Sequence, residues 1–220
     1  MQTYSEENYL KAIFKLTSGD VKLVSTGKLA QELKINAASV TEKIKKLSQK
    51  KWIEYKKSKG VKLTDKGKKL AVEIVRKHRL WEFFLVEKLK FNWDEVHGIA
   101  EELEHINSTD LVDRLDAYLG YPKYDPHGDP IPDKDGNFAK DVFHLLSAIN
   151  SSKQVVMTGV LDHGTEFLRY LNKIELGIGE ELQILDRFDY DQSIRVRLIN
   201  KKIDLNISKQ VAENILVRIQ

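Results

Sequence analysis

Two histidine–glutamate clusters lie close together near the middle of this 220-residue chain. One is His78-Arg79-Leu80-Trp81-Glu82; the other runs His97-Gly98-Ile99-Ala100-Glu101-Glu102-Leu103-Glu104-His105. Residues three or four apart share a helix face, so His78 and Glu82 should point the same way. By the same rule His97, Glu101, Glu104 and His105 should form one stripe along a second helix. Imidazole and carboxylate converging from two helices make a ligand set for a divalent first-row metal. Charged stripes also occur on merely solvated helix faces, which is the competing reading. The chain has no cysteine, so any such metal is held by nitrogen and oxygen, and disulfides are excluded. The same absence fits a reducing, cytoplasmic compartment.

Periodicity gives the elements that must position these groups. Residues 5–18 carry Tyr9, Leu10, Ile13 and Phe14 near helical spacing, with Ser5 as a cap. Ser25 or Thr26 can cap a short helix bearing Leu29, Ala30 and Leu33. After a turn at Lys34-Ile35-Asn36, a helix from about Ala37 to Lys50 places Val40, Ile44 and Leu47 on one stripe. Trp52–Lys57 and Val61–Thr64, around Ser58-Lys59-Gly60, read as a hairpin wing. Three helices and a basic hairpin make a winged helix-turn-helix. A long helix from Thr64-Asp65 to about Lys90 then carries His78 and Glu82. Asn92-Trp93-Asp94-Glu95 resembles a capping box for the helix with His97–His105. A third helix opens at Ser108-Thr109-Asp110 and stops at Gly120. Residues 121–136 hold all four prolines and form a connector. Beyond about Lys153, period-two alternation in 181–185, 194–198 and 203–205 suggests a small five-stranded barrel. The fold class is therefore mainly α with a small all-β C-terminal domain. Its divisions are 1–73, 74–150 and 151–220.

The net charge of +3 conceals an asymmetry. Residues 1–79 hold 20 Lys+Arg against 8 Asp+Glu, whereas the remainder holds 16 against 25. A basic front on an acidic body suits a polyanion-binding module joined to a regulatory one. No signal pattern and no apolar run of about 18 residues is present, so neither export nor membrane insertion is expected. In a winged helix the third helix enters the major groove and small polar side chains near its start read bases. Ala38, Ser39, Thr41 and Glu42 are the base-facing candidates, Glu42 as an acceptor from cytosine. Lys43, Lys45, Lys46, Lys56, Lys57 and Lys59 are the phosphate-contact candidates. A metal-sensing protein that binds double-stranded DNA is the expected function.

Arg76-Lys77-His78-Arg79-Leu80-x-Glu82 and Val96-His97-x3-Glu101-x2-Glu104-His105 resemble the metal-binding core of the DtxR/MntR (diphtheria toxin repressor) family. The resemblance runs the length of the chain, ending in what looks like an SH3-like, FeoA-type module. It implies a homodimeric repressor of metal-uptake genes, activated by Mn(II) or, alternatively, Fe(II). Carried over by position, Asn8, Glu101, Glu104 and His105 match the primary site. His78, Glu82 and His97 match the ancillary site, completed by His163 and Glu166 from the C-terminal domain. The run Asp125-Pro126-His127-Gly128-Asp129-Pro130 resembles a family loop that often has Cys at the first position, and a proline-braced connector is its alternative reading. Three positions depart from the family pattern. Asn8 stands where iron-type members have Met and manganese-type members Asp. Glu101 replaces the iron-type Cys. Lys11 stands where short manganese sensors have Glu, and its ammonium would repel a second cation.

Two other functions compete. Glu102-x2-His105 matches one element of a carboxylate-bridged di-metal enzyme, but such a site needs two of them plus two further Glu. No HExxH, P-loop or nucleophile elbow occurs, so no enzyme is expected. A metal-independent winged-helix regulator is the second alternative.

Overall fold

The computed structural model describes residues 3–17, 23–57, 59–150 and 152–220. Ser58, at the tip of the expected wing, lies outside them. The chain packs as two compact units. The first comprises Met1–His78, Glu101–Tyr118 and Pro132–Asn137; the second comprises Arg79–Ala100, Leu119–Ile131 and Phe138–Gln220.

In the first unit α1 (Tyr4–Leu16), α2 (Thr26–Glu32) and α3 (Ala37–Gln49) precede the hairpin of β1 (Ile53–Lys56) and β2 (Gly60–Leu63). The cap of α1 is Thr3 rather than Ser5. Its hydroxyl accepts from Glu6 N–H and the Glu6 carboxylate accepts from Thr3 N–H, so the helix starts two residues early in a capping box. Ser25 caps α2 and Asn36 caps α3. Leu10, Ile13, Leu29, Val40, Ile44 and Leu47 are fully buried together. Each contributes about 1.5–3 kcal/mol by burial, which gathers α1, α2 and α3 around one core. The hairpin pairs Ile53 with Leu63 and Lys56 with Gly60, and Val24 bridges to Val61. Gly60 has φ +124°, and a Cβ there would lie 2.4 Å from the Val24 carbonyl oxygen, so only glycine fits. The winged helix-turn-helix is thus present as expected.

The long helix α4 (Asp65–Glu87) is capped by the Thr64 hydroxyl, which accepts from Gly67 N–H at 3.1 Å. Its N-terminal part, through His78, belongs to the first unit together with α6 (Thr109–Tyr118). Arg76 ties these two helices through Asp113 and Asp116, at 3.0 and 2.7 Å.

In the second unit, the rest of α4 packs Leu85 against Val96 and Ala100 of α5 (Val96–Leu103). The C-terminal region holds β3 (His144–Leu145), β4 (Gln154–Val160), α7 (Thr165–Lys173), β5 (Glu181–Arg187), β6 (Ile194–Leu198), β7 (Ile203–Ile207), α8 (Lys209–Ala212) and β8 (Ile215–Ile219). The strands form one antiparallel sheet in the order β3-β8-β4-β5-β6-β7. Five strands were expected; the sixth, β3, is only two residues long and too short to show alternation. Register shifts in β4 and β5 bend the sheet around a core that includes Val155, Met157, Leu182, Ile184 and Val217. Among the described residues no helix is long and apolar enough to cross a membrane.

Candidate metal centre

The first unit gathers charged groups from α1, α4, α5 and the turn after α5. Because α5 ends at Leu103, Glu104 and His105 lie in that turn, so the single helical stripe expected from the sequence is broken. Glu104 is fully buried, whereas the Glu101 side chain is 48% exposed. Lys11 reaches both carboxylates, its Nζ 3.1 Å from Glu101 and 2.7 Å from Glu104. His78 Nδ1–H donates to Glu104 Oε2 at 2.6 Å, drawing His78 into this cluster. His105 Nδ1–H donates to Glu7 Oε2 at 2.5 Å, and the ring stacks on Tyr4.

Glu7 is buried and was not singled out from the sequence. Its signal was its place one turn before Lys11, on the face of α1 that turns inward. The adjacent Asn8 has its Oδ1 buried with no hydrogen-bond partner, as does Glu7 Oε1. Buried acceptors without a donor are costly, and the free oxygen of Glu7, whose other oxygen accepts from His105, is one that a cation would satisfy. The donor set present, carboxylates, imidazoles and an amide oxygen, fits a divalent metal without sulfur.

The second unit holds a cluster centred on Glu82. His97 Nδ1 lies 3.2 Å from Glu82 Oε1, and His127 Nδ1 lies 3.7 Å from Glu82 Oε2. Ligand atoms of Glu82, Asp125 and His127, all three buried, lie within 4.8 Å of one another. The proline-rich connector is therefore part of this cluster, which the sequence left open between a bracing loop and a ligand. Asp125 Oδ1 accepts from His127 N–H and Asp129 N–H at 2.8 and 3.0 Å, coiling the loop around its own carboxylate. Gly128 has φ +89°, and a Cβ there would lie 2.2 Å from the Thr158 carbonyl oxygen, so the loop seats on β4 only as glycine. Arg79 holds the far side through Asp129 at 2.7 Å and the Pro130 carbonyl at 2.6 Å.

Electrostatics mark the same cluster. Burial, then repulsion from Glu82 and Asp129, pushes the Asp125 carboxyl up to about 7. For His127, burial disfavours the imidazolium, but Glu82 and Asp125 outweigh it and raise the ring to about 8. Excess buried negative charge that holds protons in this way is the environment a bound cation replaces. His163 stacks on His127 with ring centroids 4.9 Å apart, and its pKa is lowered, chiefly by burial. Glu166, by contrast, is exposed in the first turn of α7 and is not among the residues gathered around Glu82.

On α3 and the hairpin Ala38, Ser39, Glu42, Lys45, Lys46, Lys56, Lys57 and Lys59 are exposed, and Thr41 and Lys43 half-buried. The Thr41 hydroxyl donates back to the Ala37 carbonyl, and Glu42 pairs with Lys46 at 2.6 Å.

Comparison with known proteins agrees with this architecture. Residues 1–61 match the iron dependent repressor N-terminal DNA binding domain, and residues 64–133 the iron dependent repressor metal binding and dimerisation domain. Residues 144–219 match the FeoA domain. A probable metal transport system membrane protein of Chlamydia trachomatis is 51% identical over 70 residues, covering 32% of this chain and 16% of that protein. The iron-dependent repressor IdeR of Mycobacterium tuberculosis is 32% identical over 126 residues, covering 57% of this chain and 54% of IdeR. The chain thus spans about half the length of that repressor and far less of the chlamydial protein. Among solved structures, a manganese-dependent transcriptional repressor in complex with manganese superimposes with a TM-score of 0.86 at 34% identity. That match covers 98% of this chain and 100% of the other.

Proposed function

The chain belongs to the iron-dependent repressor family of DtxR/MntR metalloregulators, and we propose that it represses metal-uptake genes by binding operator DNA as a homodimer when loaded with Mn(II), with Fe(II) as the alternative corepressor. One observation carries this reading: α1, an integral helix of the winged domain, supplies Lys11 to Glu101 and Glu104, the latter also reached by His78, and Glu7 to His105. A cation held there joins the DNA-binding fold to the chain segment beyond it.

Asn8, Glu101, Glu104 and His105 would hold the corepressor, with His78 and Glu7 completing or orienting the set. Glu82, with His97, His127 and Asp125, would form the ancillary site, and His163 supports His127 by stacking. The metal supplies positive charge alone. The side chains do the rest: Lys11 of α1 bridges Glu101 and Glu104, and a divalent ion taking its place would hold the turn after α5 against α1 more tightly. A two-fold symmetric binder needs its recognition helices about 34–36 Å apart, so metal acts by favouring the arrangement with that spacing. Sulfur-free, oxygen-rich ligands favour Mn(II) over softer ions.

The test is a mobility shift of operator DNA by the full chain, titrated with Mn(II) or Fe(II) and with EDTA. Metal-dependent binding is expected. Equal affinity in EDTA would overturn the corepressor role and favour a metal-independent winged-helix regulator.

A further inference from the structure

A cavity of about 280 Å³ opens in the first unit between the middle of α4 and the start of α6, apart from both metal clusters. Lys77, Glu73, Asn107, Ser108 and Thr109 are among its lining residues. Lys77 is only 8% exposed, and among the described residues its ammonium has no hydrogen bond or ion pair. Its Nζ is not among the buried atoms left without a partner, so the ammonium, on a side chain otherwise packed away, is open to the cavity that Lys77 helps to line. The opposite wall is the N-terminus of α6, a ten-residue helix. Ser108 caps it by accepting from Leu111 N–H at 3.3 Å. The N–H groups of Thr109 and Asp110 have no acceptor among the described residues. Free first-turn N–H groups and the positive end of the helix dipole favour an anion.

Competing acids are accounted for. Asp110 points to Arg114 at 2.9 Å on the exposed face. Glu73 lines the cavity but is exposed, and Arg76 beside it adds a second guanidinium-borne charge already shared with Asp113 and Asp116. We propose that this cavity binds a small free oxyanion of the phosphate class, with the Lys77 ammonium and the first-turn N–H groups of α6 as its donors. The volume admits such an ion with a few waters. Lys77 precedes His78, and Ser108 follows His105 by three residues. An occupying anion therefore clamps the same two segments that the primary metal cluster joins. Resting on the proposed function, this makes the two sites reciprocal: each ligand should tighten the other.

The test is calorimetric titration of EDTA-treated full chain with inorganic phosphate, ionic strength held constant with chloride. Working without metal keeps its outcome separate from that of the corepressor reading. One saturable site per chain is expected, weakened at least tenfold by Lys77→Gln. Ser108→Asp, which keeps a good helix cap but puts a carboxylate at the cavity mouth, should weaken it similarly even if Lys77→Gln fails to fold. Lys69→Gln, on the same helix but outside this cavity, should leave it unchanged. Dimethyl phosphate, a singly charged stand-in for the nucleic-acid backbone, should bind more weakly; equal binding would overturn the free-anion assignment. Absence of saturable phosphate binding, or equal binding by wild type and Ser108→Asp, would overturn the site.

Discussion

Lys11 Nζ sits 2.7 Å from the carboxylate of Glu104, a fully buried side chain, and 3.1 Å from that of Glu101. A tethered monovalent cation thus lies between two carboxylates of the proposed primary site. An incoming divalent ion must share those oxygens with it or displace it.

Replacing Lys11 with Met should therefore raise Mn(II) affinity at this site by about tenfold, or ~1.4 kcal/mol. Both carboxylates would lose their ammonium partner and become more avid for metal. Calorimetry or the loss of the free Mn(II) EPR signal measures it. Unchanged or weaker affinity would mean that Lys11 is neutral to, or supports, metal binding.

Asn8 offers a buried, unpartnered amide oxygen. Asn8→Asp should tighten Mn(II) binding, by converting a neutral ligand to a charged one, and Asn8→Ala should loosen it by about tenfold. If both variants match wild type in the same titration, Glu7 rather than Asn8 is the α1 ligand.

In the Glu82 cluster, His127→Ala or Asp125→Ala should remove one metal equivalent per chain while leaving the primary site filled. Glu166→Ala should change nothing, because Glu166 is exposed and outside the cluster. Metal stoichiometry by equilibrium dialysis separates these outcomes, and a lost equivalent in Glu166→Ala would return that residue to the ligand set.

Lys59 is exposed next to the wing turn. As a phosphate contact its removal in Lys59→Ala should reduce the slope of log affinity against log salt by about one unit without altering base preference. Variants at Ser39 or Glu42 should do the reverse. A relaxed sequence preference in Lys59→Ala with an unchanged slope would contradict this division.

Glu6 and Lys50 pair at 2.6 Å, tying α1 to the end of α3, and Lys50 also lies 4.7 Å over the Trp52 ring. Burial alone would raise the Glu6 carboxyl, but Lys50 and the Thr3 N–H outweigh it and hold it below its ordinary value. Stability from this pair is present at neutral pH, above the unfolded carboxyl value, and is lost as pH falls through the lower folded one. Lys50 is partly exposed, so Glu6→Gln should cost only about 0.5–1 kcal/mol at pH 7. Urea unfolding at pH 7 and pH 3 should show that difference shrinking in acid; a constant difference would assign it to packing.

The winged helix-turn-helix, the long helix carrying His78 and Glu82, and the ligand-type residues Glu101, Glu104 and His105 were legible in the sequence. Those features are local. Apolar stripes such as Val40, Ile44 and Leu47 recur at helical spacing, and caps such as Ser25 and Asn36 satisfy neighbouring N–H groups within three residues. How the ligand-type residues sort depends on packing between elements. His78 and His97 sit on recognisable helical faces, yet one donates to Glu104 and the other pairs with Glu82. Glu7, Lys11, Asp125 and His127 join these clusters across 43 (Asp125 to Glu82) to 98 (Glu7 to His105) positions of sequence. No periodicity encodes such approaches; they follow from which helix faces the apolar cores bury, and from one glycine, Gly128, that lets the proline-rich loop lie against β4. Spacing fixes which side chains share a face, whereas the packing of whole elements fixes which faces meet.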